Sequence, residues 1–159
     1  AEVPSNVQWK VKEDELAVKT LGIQNVGELI SKITHLNAYT NAAAGNGTIE
    51  LMNTSSIHVK EIAVTLFEKI QITIQRQTRT KIRSLGTITG PGVKAGSRLG
   101  FASQKQQFVV RSDLAYDDIK VRDVVRVEHY IEVKFRLKAK TSASPTVTAP
   151  VLIYREPFM

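Results

Sequence analysis

Residues 127–140 read VEHYIEVKFRLKAK and alternate almost without interruption. Val127, Ile131, Val133, Phe135 and Leu137 occupy odd positions, with Glu132, Lys134, Arg136, Lys138 and Lys140 between them. A period of two is the pattern of a half-buried strand, one face in a core and the other in water. The wet face ends in Lys134, Arg136, Lys138 and Lys140, which a strand would hold about 6.6–6.8 Å apart. Such a row either keeps a sheet face soluble or meets an anionic partner.

The same period governs other stretches. TIELMN (48–53) alternates, and Asn53-Thr54-Ser55-Ser56 is a turn cluster of residues that hydrogen-bond their own backbone. In IHVKEIAVTLFEKIQITIQRQTRTKIR (57–83), Ile62, Val64, Leu66, Ile70, Ile72 and Ile74 share even positions. Glu68 breaks that row, which predicts a bulge, a bend or an emergence into solvent. The opposite parity of its later half carries Gln75, Gln77, Arg79, Lys81 and Arg83. GTITGPGVKAGSRLG (86–100) reads as a glycine-rich connection, and SQKQQFVVRSDL (103–114) as another strand. AYDD (115–118) turns the chain, TSASPTVTAP (141–150) reads as a loop, and VLIYRE (151–156) as a last strand. The inward parities predict a core of Ile49, Leu51, Ile62, Val64, Leu66, Ile72, Ile74, Val127, Ile131, Val133, Phe135, Leu137, Val151 and Ile153.

The first third reads less uniformly. Val7, Trp9 and Val11 fall on one side of a strand, and LAVKTLGI (16–23) is a second short apolar stretch. In NVGELISKITHLNAYTNAAAGNG (25–47), Val26, Leu29, Ile30, Ile33 and Leu36 recur at helical spacing, with Asn25 and Glu28 placed as a capping box. That predicts a short helix over about residues 26–39. A strand running from Gly27-Glu28 is the competing reading.

At 159 residues the chain is one domain long, 42% hydrophobic and 23% charged, which places it among globular proteins. Its net charge of +7 favours anionic partners. The absence of cysteine removes disulfides, thiol nucleophiles and zinc–thiolate sites. No apolar run approaches the ~20 residues of a membrane-spanning helix, and no signal peptide is visible. Asn46-Gly47-Thr48 and Asn53-Thr54-Ser55 match the glycosylation triplet, the feature that favours a secreted or cell-surface immunoglobulin-like adhesion domain.

Little catalytic chemistry is legible. GPGVKAGS (90–97) lacks the Gly-Lys-Ser/Thr ending of a phosphate-binding loop. His35, His58 and His129 are scattered away from metal-pair spacing, and His129 has the inward parity of a hydrogen-bonded core or rim residue. No Gly-x-Ser-x-Gly elbow is present. Asp117-Asp118 and Glu13-Asp14-Glu15 sit in turn-like contexts and read as solvated. No cofactor or metal site is expected, and enzyme activity is not. The features that stand out are basic: Lys134, Arg136, Lys138 and Lys140 on one strand, Arg79, Lys81 and Arg83 on another. They suit acidic or phosphorylated protein segments, or an inositol phosphate or phosphoinositide head group. Nucleic acid is not expected, because aromatics are 6% of the chain and form no row on the basic faces.

Two segments resemble the C-terminal domain of the arrestin family. GTIELMNTSSIHVKEIAVTLFEK (47–69) is similar to its stretch in which a strand reaches an Asn-Ser/Thr turn and returns through Val-Lys-x-Ile. DVVRVEHYIEVKFRLKAK (123–140) with TAPVLIYRE (148–156) is similar to its closing pair of strands. The resemblance covers roughly 48–156 and implies an immunoglobulin-like β-sandwich of two antiparallel sheets, one domain over 1–159. It further implies a non-catalytic adaptor for receptor trafficking or signalling, with protein partners and a cytoplasmic location within reach of the membrane surface. Three departures stand beside it: residues 20–47 read as partly helical, 159 residues hold one sandwich where a full arrestin has two, and the Pro-Pro-x-Tyr motif of some relatives is absent.

Overall fold

The structure, a computed structural model, describes residues 7–20, 24–40, 44–96, 98–99, 106–111, 118–121, 124–138 and 143–154. Its strands are β1 Trp9–Thr20, β2 Gln24–Leu36, β3 Ala38–Thr40, β4 Ala44–Asn53, β5 Val59–Ile74, β6 Gln77–Val93, β7 Arg98–Leu99, β8 Gln106–Arg111, β9 Ile119–Val121, β10 Val125–Leu137 and β11 Thr146–Tyr154. One sheet runs β1-β2-β4-β7, with β8 also on β4; the other runs β3-β11-β10-β5-β6, with β9 also on β10. All pairs are antiparallel except β3 with β11. The two inner faces enclose a core from Val18, Leu29 and Leu51 on one side to Leu66, Val133 and Phe135 on the other. This is the expected β-sandwich.

The helix expected over residues 26–39 is a strand. β2 buries Leu29, Ser31, Ile33 and His35 on one face and keeps Ile30, Lys32, Thr34 and Leu36 on the other. Apolar residues on both faces of a central strand reproduce helical spacing, and hydrogen bonding to β1 and β4 decides the outcome. Asn25 does cap, but as a turn: its Oδ1 accepts the Gly27 N–H at 2.9 Å. Gly27 has φ +129°, and a Cβ there would lie 2.5 Å from Ser55 Cα. Glycine is required because the 53–56 turn crosses close by, with Thr54 and Ser56 N–H bonding Glu28 and Val26 carbonyls. With a strand here, the domain opens with strands and one family departure disappears.

Twelve of the expected core residues are at most 5% exposed, but Ile72 and Ile74 are 42% and 64% exposed. The cause is a hairpin. Gln75 and Arg76, at φ 52° and 64°, reverse the chain in two residues, so 57–83 is two strands. Toward its tip the described residues leave the inner face uncovered, so inward-parity isoleucines stand in water. Glu68 itself is neither bulged nor in solvent: it is fully buried and in register with Arg83 and His129, and the irregularity nearby lies in β6, where Gly86, φ +138°, accompanies the register shift opposite Thr65–Phe67. The glycine-rich connection is also partly strand, since β6 continues to Val93 on the sheet edge where Pro91 is tolerated. Glu13-Asp14-Glu15 lies within β1 rather than in a turn.

The Asn53 turn is a small polar knot. Asn53 is fully buried; its Nδ2 donates to Ile57 and Val93 carbonyls at 2.8 and 3.2 Å, and its Oδ1 accepts Ser55 N–H and O–H. A glycan on that nitrogen is incompatible with the folded domain, so the second triplet is a structural turn. The Asn46 side chain lies outside the described residues.

Candidate functional site

The outward face of β10 is set by its alternation. Val127, His129, Ile131, Val133, Phe135 and Leu137 point inward, which turns Arg126, Glu128, Tyr130, Glu132, Lys134, Arg136 and Lys138 outward. Lys134 pairs with Ala63 of β5 and Thr146 of β11, so it stands on a sheet rather than in a loop. Arg136 faces Glu61 across the strands and donates to it, Nη1 to Oε1, at 2.6 Å. Lys138 follows the strand, exposed, its N–H held by the His58 carbonyl at 2.8 Å. Lys140 lies outside the described residues. Glu132 and the stacked rings of Tyr130 and Phe67, 5.3 Å apart, divide this basic end from Arg126. One aromatic pair is no base-stacking row.

Arg79, Lys81 and Arg83 do not join that surface. The hairpin sets them opposite Ile72, Ile70 and Glu68, on the face of the sheet that carries the core. They therefore share a face with the isoleucines instead of opposing it. Arg83 is held by Glu68, Nε to Oε1, at 2.6 Å. Arg79 and Lys81 are exposed at the hairpin tip. The two basic rows are thus on opposite faces of one sheet.

A buried charged cluster connects β5, β6, β10 and the approach to β9. Glu68 is fully buried and His129 is 2% exposed; they pair directly across β5 and β10. His129 Nε2 lies 2.9 Å from Glu68 Oε2, and Nδ1 lies 2.5 Å from Asp118 Oδ1. Asp118 also accepts the Ile153 N–H at 3.0 Å, so it is a structural carboxylate rather than a solvated one. Burial depresses the His129 pKa, but hydrogen bonds and charge from Asp118 and Glu68 outweigh it and leave the imidazole above its ordinary value. The signal was present in the sequence: Glu68 and His129 are both inward-parity polar residues, and buried polar groups require partners. What could not be read was that they face each other.

Among the described residues no group of three or more His, Asp or Glu is arranged to hold a metal ion. No helix of the described residues is long and apolar enough to cross a membrane. A family model described as "Arrestin (or S-antigen), C-terminal domain" matches residues 38–158. No curated protein matches the chain.

Proposed function

The chain belongs to the arrestin family and carries its C-terminal domain, and on that premise we propose that it is a non-catalytic, cytoplasmic adaptor in receptor trafficking or signalling. Its anion-binding surface is the basic end of β10. The observation that carries this reading is the outward row of Lys134, Arg136 and Lys138 at one strand repeat on a central strand. A rigid row spaced by about 6.6–6.8 Å suits an extended phosphorylated or acidic segment, or an inositol phosphate head group. Arg136 already serves Glu61, so Lys134 and Lys138 supply the uncommitted charge, as point charges with loose geometric demands.

The test is titration of a phosphopeptide and of an inositol phosphate against wild type and a variant with Lys134, Arg136 and Lys138 changed to Gln. Affinity is expected to fall at least tenfold while Tm stays within a few degrees. Binding should weaken as salt rises, since exposed charge is screened beyond about 8–10 Å near physiological ionic strength. Unchanged affinity would reduce the row to a soluble sheet face.

A further inference from the structure

The N-terminal half of β1 has three properties that the adaptor reading leaves unused. Its far edge is open, because among the described residues β1 pairs only with β2. The Asn37 N–H donates to the Gln8 carbonyl, so even-numbered residues bond toward β2. The N–H and C=O groups of Trp9, Val11 and Glu13 consequently face outward. Second, Val7, Trp9 and Val11 are 41%, 54% and 54% exposed on the outer face. Third, Lys10 and Lys12 point the other way, into a cleft of about 830 Å³ between β1 and β11.

That cleft is basic and polar on its β1–β2 wall. Lys10, Lys12 and His35 form that wall, and Lys69 of β5 lines the far side with two carboxylates, Asp118 and Glu128. Both carboxylates already have partners, His129 and Arg126. His35, 4% exposed, donates its Nδ1–H to the Leu36 carbonyl at 2.9 Å. Further along the same face, Asp14 lies opposite Ser31, and Asp14 Oδ2 and Ser31 Oγ are buried with no hydrogen-bond partner among the described residues. Of the two, Asp14 is on the edge strand itself, where a donor on an added strand would meet its Oδ2.

We propose that the β1 edge docks an extended segment of a partner protein, added as a strand beside Trp9–Asp14. Acidic residues of that segment face Lys10 and Lys12, and apolar residues cover Trp9 and Val11. Strand addition takes its affinity from the backbone and its specificity from alternate side chains. An acidic residue at every second position meets the two lysines, and a hydroxyl or ammonium group two positions on meets Asp14. The inward lysines also repel basic strands and penalise apolar ones, so the edge is selective. This reading is independent of the β10 row.

Two isomeric peptides, Val-Lys-Val-Glu-Val-Glu-Val and Val-Glu-Val-Glu-Val-Lys-Val, present the pattern to an antiparallel and a parallel addition; a scramble of the same composition is the control. Trp9 is the single tryptophan and sits on the edge, so its emission reports docking, with calorimetry as the second readout. One isomer is expected to shift Trp9 emission to the blue and to lose at least tenfold in affinity when Lys10 and Lys12 become Glu. Val11→Pro, which removes an edge N–H, should abolish binding, whereas Lys134→Gln with Lys138→Gln should leave it unchanged. Equal binding of the scramble, or indifference to the Lys10 and Lys12 reversal, would overturn the proposal. So would self-association of the free chain that Val11→Pro abolishes in sedimentation, which would make a second copy the occupant.

Discussion

The two halves of β5 carry the same inward parity and meet opposite fates. Ile62, Val64 and Leu66 are fully buried, whereas Ile72 and Ile74 stand in water. Parity decides which way a strand residue points; whether anything lies there depends on how far the opposite sheet extends. Glu68 marks the boundary, a carboxylate at an inward position held by Arg83 and His129. Beyond it, the hairpin carries Arg79 and Lys81 on the face where Ile72 and Ile74 are exposed among the described residues.

The largest expected effect tests the covered half. Ile62→Ala should cost about 2–5 kcal/mol in denaturant unfolding, because the side chain is wholly enclosed by both sheets. A loss under ~0.5 kcal/mol would mean the inward face is misassigned.

A smaller effect tests the boundary. Folding raises the His129 pKa above 6.5, so the folded state holds its proton more tightly than the unfolded chain. The resulting stabilisation is complete below the unfolded pKa and is lost as pH rises through the folded one. The Tm advantage of wild type over His129→Gln should therefore shrink as pH rises above about 6.5. A margin that grows with pH would show that burial outweighs Asp118 and Glu68.

The smallest tests the hairpin tip. Ile74→Ala should change stability by no more than about 0.5 kcal/mol, the scale of a surface substitution. Equal losses at Ile62 and Ile74 would mean that something covers the tip in solution.

These contrasts also separate what was legible in the sequence from what was not. Strict alternation in 127–137 was enough to place β10 and its core face, because period two has one structural meaning. The Asn53 turn was equally plain, since its residues bond within the turn itself. The Gln75–Arg76 reversal was not, because a two-residue hairpin turn ordinarily announces itself with Gly or Asn, and neither is there. That one omission moved Arg79, Lys81 and Arg83 to the wrong face. β2 was obscured because Ile30 and Leu36 are apolar on its second face, and only pairing with β1 and β4 resolves it. Glu68 and His129 were visible as polar residues at inward positions, but their meeting required the register of β5 against β10.

The central claim is that the two basic rows are distinct surfaces and that the β10 row is the one that docks an anionic partner. The most direct measurement is a parallel calorimetric titration of one inositol phosphate into two charge-matched variants. One carries Lys134→Gln with Lys138→Gln, the other Arg79→Gln with Lys81→Gln. The account predicts at least a tenfold loss for the β10 pair and less than a twofold change for the hairpin pair. Equal losses, or a larger loss at the hairpin, would contradict it.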